Sequence, residues 1–184
     1  MNKKLAPALV LLLSASLAPA LEVSGVKLPE TVTVDGKTLN LNGGGLRKKM
    51  IFKVYVAGLY LERTSKDASA ILASSEAKSI RLHVLRGLKG SQISDAIAEG
   101  FERNSKEQLP KLQARLKQLS QMIPDVSEGD EVGLSWIPDE GVRVSVRGTD
   151  RGVIEGRDFA DALFAVWLGP NPVQEDLKRA LLGG

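Results

Sequence analysis

From Glu30 to Gly43 the chain reads ETVTVDGKTLNLNG, with apolar and polar residues alternating on both sides of Asp35-Gly36. Period two sends successive side chains to opposite faces of a strand, and Asp-Gly favours the left-handed pair that closes a two-residue hairpin. Two antiparallel strands are predicted there. From Met50 to Leu61 the pattern stays strand-like but loses its polar face: Val54, Val56 and Tyr60 share one parity, and Ile51, Lys53, Tyr55 and Leu59 the other. A strand apolar on both sides belongs inside a sheet that another layer covers. KSIRLHVLRG, starting at Lys78, predicts a further strand with Ile80, Leu82 and Val84 on one face.

The period then changes. Ile93, Ala96, Ile97, Gly100 and Phe101 recur at helical spacing after Ser91, read as a cap, and Leu109, Leu112, Leu116, Leu119 and Ile123 repeat the pattern beyond a break near Pro110. Three short alternating runs follow, DEVGLSWIP, GVRVSVRG and RGVIEG, separated at Asp139-Glu140-Gly141 and Gly148-Thr149-Asp150. RDFADALFAVWLGPNP then places Phe159, Leu163, Val166 and Trp167 on one helical face and stops at Gly169-Pro170; a last helix is predicted over roughly residues 173–182. Strands, helices, strands and helices in that order imply an α+β domain, an antiparallel sheet with helices stacked on it. No internal repeat or low-complexity linker divides the chain.

The N-terminus changes the picture of what folds. MNKKLAPALVLLLSASLAPA puts Lys3 and Lys4 ahead of a short leucine-rich run and ends in Ala18-Pro19-Ala20, the layout of a secretory signal peptide cleaved after Ala20. Residues 21–184 are then the single expected domain, and the expected location is periplasmic or secreted. The apolar run is short of the roughly 20 residues of a permanent span, so no stable membrane span is expected after cleavage. The chain has no cysteine, which excludes a lipoprotein anchor and disulfides alike and leaves stability to a hydrophobic core.

Charge narrows the partners. Of the 25 basic side chains two are in the leader, which holds no Asp or Glu, so 23 face 22 acidic ones in the expected domain. The signs are interspersed rather than gathered in a stripe, so no nucleic-acid partner is expected. His83 is the one histidine. With no cysteine beside it there is no ordinary zinc site, no metal or cofactor is expected, and the residue reads as a satisfied member of its strand. No serine lies in G-x-S-x-G. Gly43-Gly44-Gly45 lacks the Gly-Lys-Ser/Thr continuation of a phosphate loop and reads as a turn. Glu128, Asp130 and Glu131 lack calcium-loop spacing and read as a solvated approach to a hairpin. Trp136 and Trp167 read as pocket or core, and the helical stripe around Trp167 favours core.

Three stretches together carry a resemblance: NGGGLRKKMIFKVYVAGLYLE from Asn42, GDEVGLSWIPDEGVRVSVRG from Gly129, and GVIEGRDFADALFAVWLGPNPVQEDLKRALLG from Gly152. In that order they resemble the chalcone isomerase fold family, specifically its bacterial exported, chalcone isomerase-like branch. The resemblance implies an open-faced β-sandwich, a large antiparallel sheet carrying a layer of helices with a cleft between them. The family holds plant enzymes that cyclise chalcones to flavanones and non-catalytic members, some of which bind fatty acids.

Arg47 corresponds to the arginine that family members direct into the cleft, where it stabilises an oxyanion in the enzymes or receives a carboxylate in the binders. A permanently charged, forked donor in a pocket of low dielectric suits either task. Regular parity would put Lys53 and Tyr55 beside it, and Ile93 and Ile97 would contribute apolar wall from the facing helix. The bland alternative pairs Arg47 with a carboxylate such as Glu62. The resemblance also puts Ile93 and Gly100 where the enzymes carry tyrosine and asparagine, and Val166 where they carry threonine or serine. Those replacements remove the hydrogen bonds of cyclisation, so no catalytic residue is assigned.

Three functions follow as expectations. The first is a non-catalytic binding protein for a small amphipathic anion such as a fatty acid, with Arg47, Tyr55, Lys53, Ile93 and Ile97 at the ligand. The second is a cofactor-free isomerase or lyase acting on a small carbonyl compound, with Arg47 as electrophile and Tyr55 as acid. The third is a ligand-free interaction module of the envelope, whose protein partner the sequence does not identify.

Overall fold

The computed structural model describes residues 21–184; the secretory signal expected at residues 1–20 lies outside them. The described residues begin with a small hairpin, β1 (Leu21–Val23) and β2 (Val26–Leu28), which the sequence pattern did not reveal. Seven strands then form one antiparallel meander in chain order: β3 (Thr31–Val34), β4 (Lys37–Lys49), β5 (Phe52–Leu61), β6 (Lys78–Val84), β7 (Glu131–Ile137), β8 (Gly141–Val146) and β9 (Thr149–Ile154). The β3–β4 hairpin closes at Asp35 and Gly36, with φ of 49° and 73°, as the Asp-Gly pair requires.

Five helices complete the fold: α1 (Ala68–Ala73), α2 (Gly90–Asn104), α3 (Leu109–Met122), α4 (Arg157–Leu168) and α5 (Glu175–Leu181), with a short 3-10 turn at Lys106–Gln108. The expected α+β architecture, a large sheet with helices stacked on it, is the one observed. Helix α2 starts at Gly90, before Ser91, with Lys89 as its cap residue, and Pro110 opens α3 in its first turn, where a missing N–H costs nothing. Helix α1 is a further element absent from the sequence reading. Its Asp67 cap accepts the N–H groups of Ser69 and Ala70, but six residues are too few to show a helical period.

The two faces of the sheet differ. On one, Ala57, Leu59, Ile80, Leu82, Val132, Leu134, Val142 and Val144 pack against Ile97 and Phe101 of α2, Leu112 of α3 and Phe159 and Leu163 of α4, all in one buried cluster. On the other, a smaller cluster joins Val34, Leu39, Tyr60, Ala77 and Ile137. The sheet curls strongly. Arg143 of β8 comes within 3.7 Å of the Asp35 carboxylate at the tip of β3, although four strands separate them in the sheet.

The three glycines expected to turn lie inside β4, which runs unbroken to Lys49. Their function is close approach. A Cβ on Gly45 would lie 2.7 Å from Ala180 Cβ, one on Gly43 would overlap the Ala180 carbonyl oxygen, and one on Gly44 would overlap Leu28 on the opposite face. Helix α5 therefore rests directly on the strand backbone, and β2 does so on the reverse side.

Lys78 is a charged residue in the interior, 1% exposed. Its Nζ donates to the carbonyls of Ile71 at 2.8 Å, Ser74 at 3.0 Å and Leu72 at 3.3 Å, while Arg157 Nη2 donates to those of Leu72 and Ala73. The two cations satisfy the unpaired C-terminal carbonyls of α1. Among the described residues no helix is long and apolar enough to cross a membrane.

Candidate functional site

Between the sheet and helices α2 and α4 lies a cavity of about 580 Å³, within the range of small-molecule sites. Leu82, Val84 and Val132 form its sheet side, Ile93 and Ile97 come from α2, and Val166 and Trp167 from α4. Arg47 and Tyr55 line it as directly paired neighbours on β4 and β5. Its mouth is formed by Lys49, Met50 and Phe52 at the β4–β5 turn, Arg86 after β6, and Asp95 and Glu99 of α2. A second hollow of about 320 Å³ lies beside α1. Its charged groups are already engaged: Lys78 caps α1, and Glu62 holds Lys37 at 2.9 Å and accepts the Ala77 N–H at 2.7 Å.

The polar groups of the larger cavity are ordered by their neighbours. Gln174, just before α5, accepts from Arg47 Nη1 at 3.2 Å and from the Lys48 N–H at 2.9 Å, and it donates to the Leu46 carbonyl at 3.2 Å. Arg47 Nη1 also donates to the Lys48 carbonyl. One corner of the guanidinium is thus fixed, and the rest of the group faces the Tyr55 phenol and the cavity. Glu62, the carboxylate expected in the bland reading, pairs with Lys37 instead of Arg47.

Tyr55 accepts a hydrogen bond from Trp167 Nε1 at 3.0 Å. Burial pushes its phenol above the ordinary range, an effect that the Trp167 donor and the adjacent Arg47 charge only partly offset. The phenol therefore keeps its proton at neutral pH. Its oxygen already accepts from the indole, so that proton is available to donate. Two donors, one permanently charged, stand side by side at the edge of an apolar chamber.

Of the residues singled out in the sequence, Arg47, Tyr55, Ile93 and Ile97 all line this chamber, and Lys53 does not. The parity expectation fails at a bulge. Arg47 pairs with Tyr55 and Lys48 with Lys53, so Val54 is an extra residue without a partner on β4. One inserted residue turns the remainder of a strand to the other face, and Lys53 goes with Lys48, away from Arg47. Gln174 was not legible as a site residue, and Trp167, open between pocket and core in the sequence, is both. Trp167 is 2% exposed and sits on its core stripe as expected, yet its indole edge reaches the phenol.

Ile93 and Val166 line the cavity, and a Cβ on Gly100 would lie 2.7 Å from Val166 Cγ2. Helices α2 and α4 close at that contact in apolar packing. His83 lies on the opposite sheet face, with Nε2 3.3 Å from Glu131 Oε2, and Arg81 donates to the same carboxylate at 2.8 Å. Asp130 accepts the Ser127 N–H at 2.8 Å and pairs with Arg147 at 3.1 Å. Asp130 is therefore bonded at the ends of β7 and β8 rather than merely solvated, and it is held below the ordinary carboxylate range chiefly by that N–H donor.

The profile of the family described as chalcone isomerase-like matches residues 20–183. The chain belongs to the chalcone isomerase-like family. The crystal structure of the Arabidopsis thaliana fatty-acid binding protein is similar, with a TM-score of 0.66 at 16% identity over 86% of this chain and 92% of that one. No curated protein matches the chain in sequence. The family and fold expected from the three stretches are those found; at 16% identity the structural likeness carries the fold alone.

Proposed function

We propose that this chalcone isomerase-like protein is a non-catalytic carrier whose cavity takes an amphipathic monoanion, a fatty acid, with its carboxylate on Arg47 and Tyr55 and its chain along Ile93, Ile97 and Val166. The observation that carries the reading is the cross-strand pairing of Arg47 with Tyr55 at a cavity whose inner wall is apolar and whose rim is charged. A guanidinium with open N–H groups and a protonated phenol offer the two oxygens of a carboxylate a complementary set of donors. Each methylene buried beside them contributes about 0.8 kcal/mol, whereas one charge-assisted hydrogen bond contributes about 1.5–3 kcal/mol. The acyl chain thus supplies most of the affinity, and the polar pair sets the orientation.

The similar Arabidopsis thaliana structure, itself named a fatty-acid binding protein, supports this reading over an isomerase or lyase. So does the chemistry of the lining. An enolising enzyme needs a positioned base, and the carboxylates that line the cavity, Asp95 and Glu99, are exposed on the rim helix. Export to the periplasm or medium belongs to the same proposal and rests on the leader pattern of residues 1–20 alone.

The test is native mass spectrometry of the protein purified from its own compartment. The expected result is a retained long-chain anion, at reduced occupancy in Arg47→Ala under the same conditions. Purification without ligand, together with no uptake of added palmitate, would overturn the proposal.

A further inference from the structure

The β4–β5 turn is apolar where turns are usually polar. Met50 is 89% exposed, Ile51 87% and Phe52 51%, three adjacent large side chains held in water at the end of a long hairpin. Met50 adopts φ of 56°, a left-handed conformation that favours Gly or Asn in such turns, so local backbone preference does not account for methionine there. Basic residues surround the tip. Lys48, Lys49 and Lys53 flank it in sequence, and the Arg86 guanidinium lies 4.6 Å from the centroid of the Phe52 ring. None of these four makes an ion pair among the described residues, and no Asp or Glu occurs from residue 41 to 61 or from 78 to 92.

We infer that this hairpin tip docks on an anionic lipid bilayer, with Met50, Ile51 and Phe52 entering the boundary of the acyl chains and the four cations meeting lipid phosphates. An apolar wedge ringed by unpaired cations is complementary to such a surface: the interface rewards apolar burial and attracts each nearby Lys or Arg. A second copy of the chain suits the tip less well. A stable dimer buries about 800 Å² per partner, more than three side chains provide. The tip is also continuous with the cavity, because Lys49, Met50 and Phe52 line its mouth. Docking there brings the opening to the lipid, so a hydrophobic ligand passes between bilayer and cavity with little contact with water. The facing rim carries Asp95 and Glu99, with Glu99 3.8 Å from Arg103, and so lacks the excess of cations found at the tip.

The chain has no cysteine, so Ile51→Cys in the full chain carries a single environment-sensitive fluorophore at the tip, and Ser69→Cys on α1 carries it at the far end of β5. The probes are fatty-acid-free vesicles of phosphatidylglycerol with phosphatidylcholine, and of phosphatidylcholine alone. The expected result is a blue shift and quenching by brominated acyl chains at position 51 but not at 69. Binding should weaken with salt and fall about tenfold or more in Lys48→Gln/Lys49→Gln. A label at position 51 that stays as exposed to water on anionic vesicles as the label at 69 would overturn the proposal. So would binding indifferent to lipid charge, or a dimer in sedimentation velocity that Ile51→Ser dissolves without any contact of the tip with lipid. Because these vesicles hold no fatty acid, the outcome is independent of whether the cavity binds one.

Discussion

The indole N–H of Trp167, on α4, donates to the hydroxyl oxygen of Tyr55, on β5, at 3.0 Å. This bond spans the helix layer and the sheet at the cavity wall, and it leaves the phenol one proton to give to a ligand. Tyr55→Phe removes the donor and strands a buried N–H. Stability in urea should fall by about 1–3 kcal/mol, and palmitate affinity several-fold. An unchanged unfolding midpoint would show that the indole finds another acceptor.

Arg47 and the acyl chain should act separately. In a series of fatty acids of increasing length, affinity should rise about fourfold per methylene until the cavity is filled. Arg47→Ala should lower every member by roughly ten- to a hundred-fold and leave that slope intact. Ala96→Trp, at the cavity mouth, should abolish binding of the long members while the fold is retained. Isothermal titration reads all three, and a slope that changes with Arg47 would contradict the division of labour.

Gly43 and Gly45 admit α5 to the backbone of β4, so Gly45→Ala should destabilise the domain by about 1–3 kcal/mol through overpacking against Ala180 and Leu177. A glycine that merely served a turn would tolerate alanine at this ordinary φ, and an equal chemical-denaturation midpoint would favour that reading.

At the α2–α4 contact, Gly100→Ala should cost a similar amount, and a Val166→Ala background should recover most of it, because the three atoms nearest the added methyl all belong to Val166. Additive losses in the double-mutant cycle would place the strain elsewhere.

Lys78 is a buried cation whose titration reaches the accessible pH range. Burial, with Arg157 nearby, brings its pKa down to about 8 from 10.5, although three carbonyls accept from its Nζ. Between those values the unfolded chain binds a proton that the folded chain lacks, so raising the pH from about 8 to about 10.5 should increase stability. Below pH 8 both states are protonated and the penalty is constant. Urea unfolding across this range should show that rise in the wild type and its loss in Lys78→Met; parallel curves would assign the slope to other groups.

Periodicity was enough for the long elements. The hairpin at Asp35-Gly36, the strand through Ile80, Leu82 and Val84, helices α2 and α4 and the three strands before α4 are each written as a repeat of two or of three to four residues. What the pattern lacked was local and short. Helix α1 and the β1–β2 hairpin are too brief to show a period. The bulge at Val54 leaves no mark in an alternating sequence, so Lys53 was placed on the wrong face. The triglycine looked like a turn because close approach of α5 is a fact about residues more than 130 positions away. Arg47, Tyr55, Ile93 and Ile97 were readable through the family resemblance, whereas Gln174 and the indole edge of Trp167 gain their contacts only when α4 and α5 fold back on β4 and β5.

The central claim, an anionic oxygen received by Arg47 and Tyr55 within an apolar cavity, is tested most directly by NMR of palmitate carrying carbon-13 at its carboxyl group. Bound to the wild-type protein, the carboxyl should stay ionised down to a pH below about 4, held there by the guanidinium and the phenol. In Arg47→Gln its titration should move back up. A bound carboxyl that titrates as it does in water, with the same midpoint in both proteins, would contradict the account.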